Sequence, residues 1–222
     1  MKPIDICKNC FNDLKEFSFH ELLNSKSYLC SKCIYKFQPH FKEFQINDVK
    51  GLSIYFYNDE LKQTIFLYKG CKDYELKDIF VIPFKNEFKL IYKNYILIPA
   101  PSYNEKIKER GFHHIKEIYK GLGLKMTDIF SKTKDVAQHN LNYANRQKVG
   151  EYIKINTNEN LNGKNILLID DIVTTGATLK ACINLIKKYY KPRKIKILVV
   201  AKREFSKKEK ESIKNNHPIL DR

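Results

Sequence analysis

Two adjacent carboxylates, Asp170 and Asp171, follow the aliphatic run Ile166-Leu167-Leu168-Ile169 and lead into Ile172-Val173-Thr174-Thr175-Gly176-Ala177-Thr178. The run reads as a strand buried on both faces, as in a parallel sheet. The pattern through Leu179, Ile183 and Ile186 reads as a helix. Strand, acidic pair, small hydroxyl-rich turn and helix place ligand groups at the carboxyl end of a strand, where open α/β sheets bind. The turn can aim backbone N–H groups and three hydroxyls at an anion, aided by the positive end of the helix. The carboxylates would repel that anion, so they suit hydroxyl donors or a bound cation. A phosphate at one end and a vicinal diol at the other satisfy both halves, which describes a ribose 5-phosphate. The acidic pair, being like-charged at a strand end, is expected to contribute little to folding.

A second constellation lies near the amino terminus. Cys7-Lys8-Asn9-Cys10 and Cys30-Ser31-Lys32-Cys33 are two C-x-x-C knuckles separated by 19 residues. Each puts two thiolates on one tight turn, and the two together complete a tetrahedral, all-thiolate site for Zn2+. A redox C-x-x-C is the alternative, but it needs no second pair. Four thiolates leave no open position, so the zinc is expected to be structural. The intervening Phe11, Leu14, Phe17, Leu22, Leu23, Tyr28 and Leu29 are too small a lining to fold alone, and the metal is expected to supply the folding energy.

Around these sites the chain alternates strand and helix. Leu52–Tyr57 reads as a strand, Glu60–Lys69 as a helix stopped by Gly70, and Ile96–Pro101 as a second buried strand. Residues 34–50 read as a connector, with Pro39 breaking any helix, and Ser102–Arg110 as a polar, basic loop. A helix through Ile115, Ile118, Tyr119 and Leu122 follows, then a short strand at Ile129-Phe130. Ser131–Gly150, with Gln138 and Arg146, carries no period and reads as a long loop of the kind that forms lids. Ile195–Ala201 is a further strand. The order predicts an α/β fold with a doubly wound parallel sheet, divided into a four-cysteine module over 1–46 and a larger domain over 47–222.

Charge and length bound the function. The 222 residues carry a net charge of +16, yet only five of 41 basic residues are arginine. Residues 180–222 hold 14 Lys or Arg against 4 Asp or Glu, whereas residues 1–46 hold 7 against 5, so the basic surface is concentrated at the carboxyl end. Such a surface can meet nucleic-acid phosphates, although a lysine-rich helix end is ordinarily a solvated face. Met1–Phe11 lacks the apolar run of a signal peptide, and no stretch approaches the ~20 apolar residues of a membrane span. A cytoplasmic protein without membrane insertion is expected, and in that reducing compartment disulfides among the four cysteines are not.

The stretch Ile166–Thr178 resembles the thirteen-residue phosphoribosyl pyrophosphate (PRPP) motif of type I phosphoribosyltransferases. Together with the paired knuckles, Leu67-Tyr68-Lys69-Gly70, Ile98-Pro99-Ala100-Pro101, Lys108-Glu109-Arg110-Gly111-Phe112 and Gln138…Leu141…Arg146, it resembles the ComF family (ComFC/GntX-like). That family joins a four-cysteine zinc module to a type I phosphoribosyltransferase domain. The resemblance implies that Asp170 and Asp171 hold the ribose hydroxyls and that Thr174, Thr175, Gly176, Ala177 and Thr178 cradle the 5-phosphate. It implies Lys108 and Arg110 on the pyrophosphate, with Mg2+ bound alongside PRPP. It further implies an accessory role in natural transformation, handling single-stranded DNA beside a DNA-translocating ATPase at the inner face of the cell membrane. Two departures stand out: His113-His114 where the family usually has Asn-Gln, and lysine where its surface is rich in arginine.

Three function classes follow: a PRPP-binding accessory factor that contacts single-stranded DNA, an active phosphoribosyltransferase with an unidentified acceptor, and a zinc-module docking protein that never touches DNA. The first is the expectation, with no catalytic residue assigned. His113 and His114 are read as surface residues at a helix start, and Cys182 as packing.

Overall fold

The computed structural model describes residues 6–14, 28–132, 153–157 and 159–204. Its centre is a five-stranded sheet in the order β1 (Pro39–Ile46), β2 (Val49–Phe56), β7 (Lys194–Lys202), β6 (Asn165–Val173), β3 (Tyr95–Pro99). The hairpin β1–β2 is antiparallel, while β2–β7, β7–β6 and β6–β3 are parallel. Ile166 to Ile169 in β6 and Ile197 to Ala201 in β7 are buried throughout, as central strands covered on both faces must be.

Beyond β3 the chain adds a rudimentary sixth strand. Leu97 bridges Met126 in parallel, with Leu97 N–H donating to Lys125 C=O and Thr127 N–H to Leu97 C=O. The crossover from β3 outward to Met126 runs through α6 (His114–Lys120), and that from β6 the other way to β7 runs through α7 (Ala177–Tyr189). Right-handed crossovers in opposite directions put these helices on opposite faces of the sheet. The order of winding therefore reverses between β3 and β6, and the crevice outside their carboxyl ends is where such sheets bind ligands.

Leu179, Cys182, Ile183 and Ile186 form the buried stripe of α7 at helical spacing. On the other face α2 (Asp59–Lys69) is capped by Asn58, whose side chain accepts from Leu61 N–H, and buries Leu61, Thr64, Ile65 and Tyr68. Two short helices, α3 (Asp78–Val81) and α4 (Lys85–Tyr92), continue that layer, and α3 packs on α6. The antiparallel pair β4 (Phe130–Lys132) and β5 (Ile153–Ile155) sits beside α7.

Two readings need correction. The expected connector over 34–50 is helix α1 (Ser31–Phe37) followed by β1. Pro39 begins an edge strand, where its missing N–H costs no ladder bond, and a register shift between Pro39 and Lys42 breaks the alternation that would have marked it. Thus β1, on the amino-terminal side of the boundary expected at residue 46, is paired to the main sheet. The expected loop over Ser102–Arg110 is helix α5 (Asn104–Arg110), which buries no residue and so carries no apolar stripe to read. The expected strands and helices at 52–57, 60–69, 96–101, 115–122, 129–130, 179–186 and 195–201 all have counterparts. Residues 133–152, with Gln138 and Arg146, lie outside the described residues, as do Phe17, Leu22 and Leu23. No helix among the described residues is long and apolar enough to cross a membrane.

Candidate functional site

Strand β6 carries Asp170 and Asp171 to the mouth of the crevice, and Thr174–Gly176 turns the chain into α7. Gly176 holds φ 76, a left-handed conformation that side chains resist. A Cβ there would also lie 3.0 Å from Ile46 Cδ1. Thr174 and Thr175 are exposed, with Thr175 Oγ1 accepting from Ala177 N–H at 3.4 Å, and Thr178 is half-buried. The five turn residues therefore stand together at the amino-terminal end of α7, as read from the sequence.

The two aspartates differ. Asp170 is half-buried, and Asp171 is 5% exposed. Asp171 Oδ2 receives Lys69 Nζ at 2.5 Å and His114 Nε2 at 3.3 Å, while its Oδ1 accepts from Ile172 N–H at 2.6 Å. Burial opposes ionisation of Asp171, but the Lys69 charge and then the His114 bond override it and hold the carboxyl well below its ordinary range. Asp170 shifts the other way, pushed up first by burial and then by the negative Asp171 beside it. Its Oδ1 accepts Asp171 N–H at 2.9 Å. The hydroxyl of buried Tyr119 lies 2.9 Å from Asp170 C=O and 3.1 Å from Leu198 C=O, tying the strand end to α6.

Arg110, from the end of α5, organises this cluster rather than facing solvent. Its Nε donates to Lys69 C=O at 3.0 Å and its Nη1 lies 2.8 Å from His114 Nδ1. Guanidinium has no acceptor, so Nδ1 must accept and the His114 proton sits on Nε2, directed at Asp171. His114 is 6% exposed, which corrects the surface reading. The His113 side chain caps α6 by accepting from Lys116 N–H. Lys108 is exposed on α5 and joins none of these contacts.

Lys69, His114 and Tyr119 are the residues that sequence reasoning missed. Lys69 stands in the Leu67-Tyr68-Lys69-Gly70 match, but as a basic residue in the last turn of a helix it carried no sign of a site role. Only the pairing of α2 with β6 reveals its partner, 102 residues away.

The histidines make a pH prediction. Burial first, then nearby Lys116 and His114, pushes His113 down to about 4. Burial also lowers His114, although its bond to Asp171 pulls upward. The unfolded chain protonates histidine near 6.5. The stability of the neutral rings is thus fully present above about pH 6.5 and is lost as pH falls from there towards about 4. The depressed Asp171 acts in the same direction but at lower pH, below the ordinary carboxylate range. The melting temperature is expected to drop across pH 6.5 to 5, and to drop less in His113→Asn, which keeps a capping side chain but does not titrate. A drop of equal size in that variant, followed by calorimetry, contradicts the assignment.

The four knuckle sulfurs converge. Cys7, Cys10, Cys30 and Cys33 place their ligand atoms within 4.8 Å of one another, and Cys10 Sγ is 3.7 Å from Cys30 Sγ. Two sulfurs about 2.3 Å from one tetrahedral Zn2+ stand about 3.8 Å apart. The cluster therefore fits a four-thiolate metal site and suggests zinc. Burial pushes the Cys30 and Cys33 thiols up, a cost that a bound cation reverses. The residues between the first two cysteines dock the knuckle on the larger domain. Lys8 Nζ pairs with Glu75 and Asp78 at 2.8 Å each, and Asn9 reaches Glu60 and Thr64 on α2.

A model of the phosphoribosyl transferase domain matches residues 107–218. Competence protein ComFC of Bacillus subtilis (strain 168) is 33% identical over 129 residues, which span 57% of this chain and 53% of that protein. Competence protein ComFC of Streptococcus pneumoniae (strain ATCC BAA-255 / R6) is 29% identical over 196 residues, 78% of this chain and 88% of that protein. Among solved structures, purine phosphoribosyltransferase from Pyrococcus horikoshii Ot3 aligns with a TM-score of 0.36 and 19% identity, over 57% of this chain and 82% of that one.

Proposed function

The chain belongs to the phosphoribosyl transferase domain family as a ComFC-like member, and from that premise we propose that it is a PRPP-binding accessory protein of natural transformation that handles single-stranded DNA. The observation that carries the PRPP half is the acidic pair and hydroxyl-rich turn at the reversal point of the sheet, with buried Asp171 held ionised by Lys69. Thr174 to Thr178 take the 5-phosphate, and Asp170 and Asp171 take the ribose diol. Mg2+, a cation of oxygen ligands and substrate phosphates, would be held with the substrate beside Asp170 and Asp171 and would neutralise its charge. Arg110 is spent on Lys69 and His114, so it serves the site by bracing those two, while exposed Lys108 is free to turn towards the pyrophosphate. The four cysteines would hold a structural zinc that fixes the two knuckles, the first of which docks on the larger domain through Lys8 and Asn9. An active enzyme would add an acceptor to ribose C1 with loss of pyrophosphate; release of pyrophosphate from PRPP across a panel of acceptors distinguishes that reading from the accessory one.

The DNA half rests on charge and on the likeness to the two competence proteins. Single-stranded DNA is expected to bind without sequence preference, through phosphate contacts, in the cytoplasm beside a DNA-translocating ATPase. Each neutralised phosphate releases counterions, so the logarithm of affinity should fall linearly with the logarithm of salt, by ~0.7 per phosphate contacted. Fluorescence titration between low and physiological salt tests this. Binding indifferent to salt, or none at low salt, removes DNA from the proposal while leaving PRPP in place.

A further inference from the structure

A pocket of about 450 Å3 opens between α2 and α5 on the flank of the acidic pair, reaching β6 at Ile172. Its size falls in the range of small-molecule sites. Neither aspartate lines it, and no residue of the Thr174–Thr178 turn does. Lys62, Lys69, Lys72, Lys106 and Arg110 supply five positive charges against the single carboxylate of Glu109. Lys69 and Arg110 are already engaged with Asp171 and His114. Lys62 and Lys72 are exposed, and neither has an ion-pair partner among the described residues. Lys62 and Lys72 thus leave uncompensated positive charge at one pocket, which favours an anionic ligand there.

The walls say what that anion carries. Tyr57 and Phe66 line the same pocket, and Phe66 is 63% exposed although it is a large apolar side chain on a helix that buries its neighbours Ile65 and Tyr68. An exposed aromatic face beside lysines matches the combination that binds nucleotides, with a base stacked on the ring and its phosphate on the cations. We propose that this pocket is a second ligand site, which binds the phosphate and base of a nucleoside monophosphate, either free or as the 5′ end of a strand. It goes beyond the PRPP reading and does not rest on it: the pocket shares Lys69 and Arg110 with the supports of the acidic pair, but no residue of the turn and neither aspartate. Lys69 stands between the two sites, paired with Asp171 and lining the pocket.

The test uses the full, zinc-replete chain and thymidine 5′-monophosphate as the probe, with and without excess PRPP and Mg2+. The nucleotide is expected to bind in both conditions. Lys62→Glu combined with Lys72→Glu should weaken it at least tenfold, and, both positions being exposed, should leave the melting temperature nearly unchanged. Phe66→Ala should weaken the nucleotide but not inorganic pyrophosphate, a probe with phosphates and no base. A 5′-phosphorylated oligothymidylate that binds more tightly than its 5′-hydroxyl counterpart assigns the pocket to strand ends; equal binding of the two strands, with the monophosphate still captured, assigns it to free nucleotides. Displacement of the nucleotide by PRPP, or an affinity changed less than twofold by the double charge reversal, overturns the proposal. PRPP binding by the charge-reversed protein remains a separate reading of the main site.

Discussion

Replacing Asp170 and Asp171 together with alanine is expected to weaken PRPP binding at least ~100-fold. Asp171 offers a charge-assisted hydrogen bond to a ribose hydroxyl, and Asp170 offers a second once the bound cation draws it back to its ionised form. Such bonds are worth roughly 1.5–3 kcal/mol each, and each ~1.4 kcal/mol is a factor of ten. The two single variants should part company in stability. Asp171→Ala removes the acceptor from His114 Nε2, in a ring that is 6% exposed. It also strips Lys69 of its partner, although that side chain, 32% exposed, can swing into solvent. An orphaned buried donor costs about 1–3 kcal/mol, so Asp171→Ala should lower the melting temperature by several degrees. Asp170→Ala removes a carboxyl that burial and its neighbour already push towards neutrality, and should cost little. The bonds of Asp171 to Lys69 and His114 therefore predict a part in folding that the like charge of the pair did not suggest. Calorimetric titration of PRPP with Mg2+, paired with thermal melts, separates the two effects; equal affinity in wild type and double variant contradicts the site.

Replacing Cys33 with serine is expected to abolish stoichiometric zinc and to unfold the knuckle. Zinc binding in comparable small thiolate sites contributes apparent free energies of about 10–16 kcal/mol, far more than the few apolar residues of the module supply. The consequence does not stop there. Cys7 and Cys33 are buried in one continuous core with Leu29 and Phe37, and the Phe37 ring meets Tyr55 of β2 edge-on at 5.8 Å. Loss of the knuckle also frees Glu75 and Asp78 from Lys8. The sheet should keep its fold and melt at lower temperature. Elemental analysis giving less than about half a zinc per wild-type chain contradicts the metal assignment, and an unchanged melt for Cys33→Ser contradicts the docking.

The parts legible in the sequence were those whose signal is local. Ile166–Ile169 is apolar because both faces are covered, and the small residues after it are dictated by a turn that must reach φ 76 at Gly176. The knuckles are legible because ligand spacing on a tight turn is itself local. What could not be read depends on packing at long range. Lys69, 102 residues from Asp171 in sequence, meets it only after α2 and β6 pack together. His114 resembles any polar residue at a helix start until Tyr68 donates to its carbonyl and the ring is covered. Helix α5 has no buried face to give it a period, and β1 is an edge strand with a broken register.

A crystal structure of the protein with PRPP and Mg2+ tests the central claim most directly. The 5-phosphate should lie within hydrogen-bond distance of backbone N–H groups in Thr174–Thr178. Its ribose diol should face Asp170 and Asp171, with the pyrophosphate on the Lys108 side of the crevice between β3 and β6. PRPP seated instead with its phosphates on Lys62 and Lys72, leaving the turn empty, contradicts the assignment.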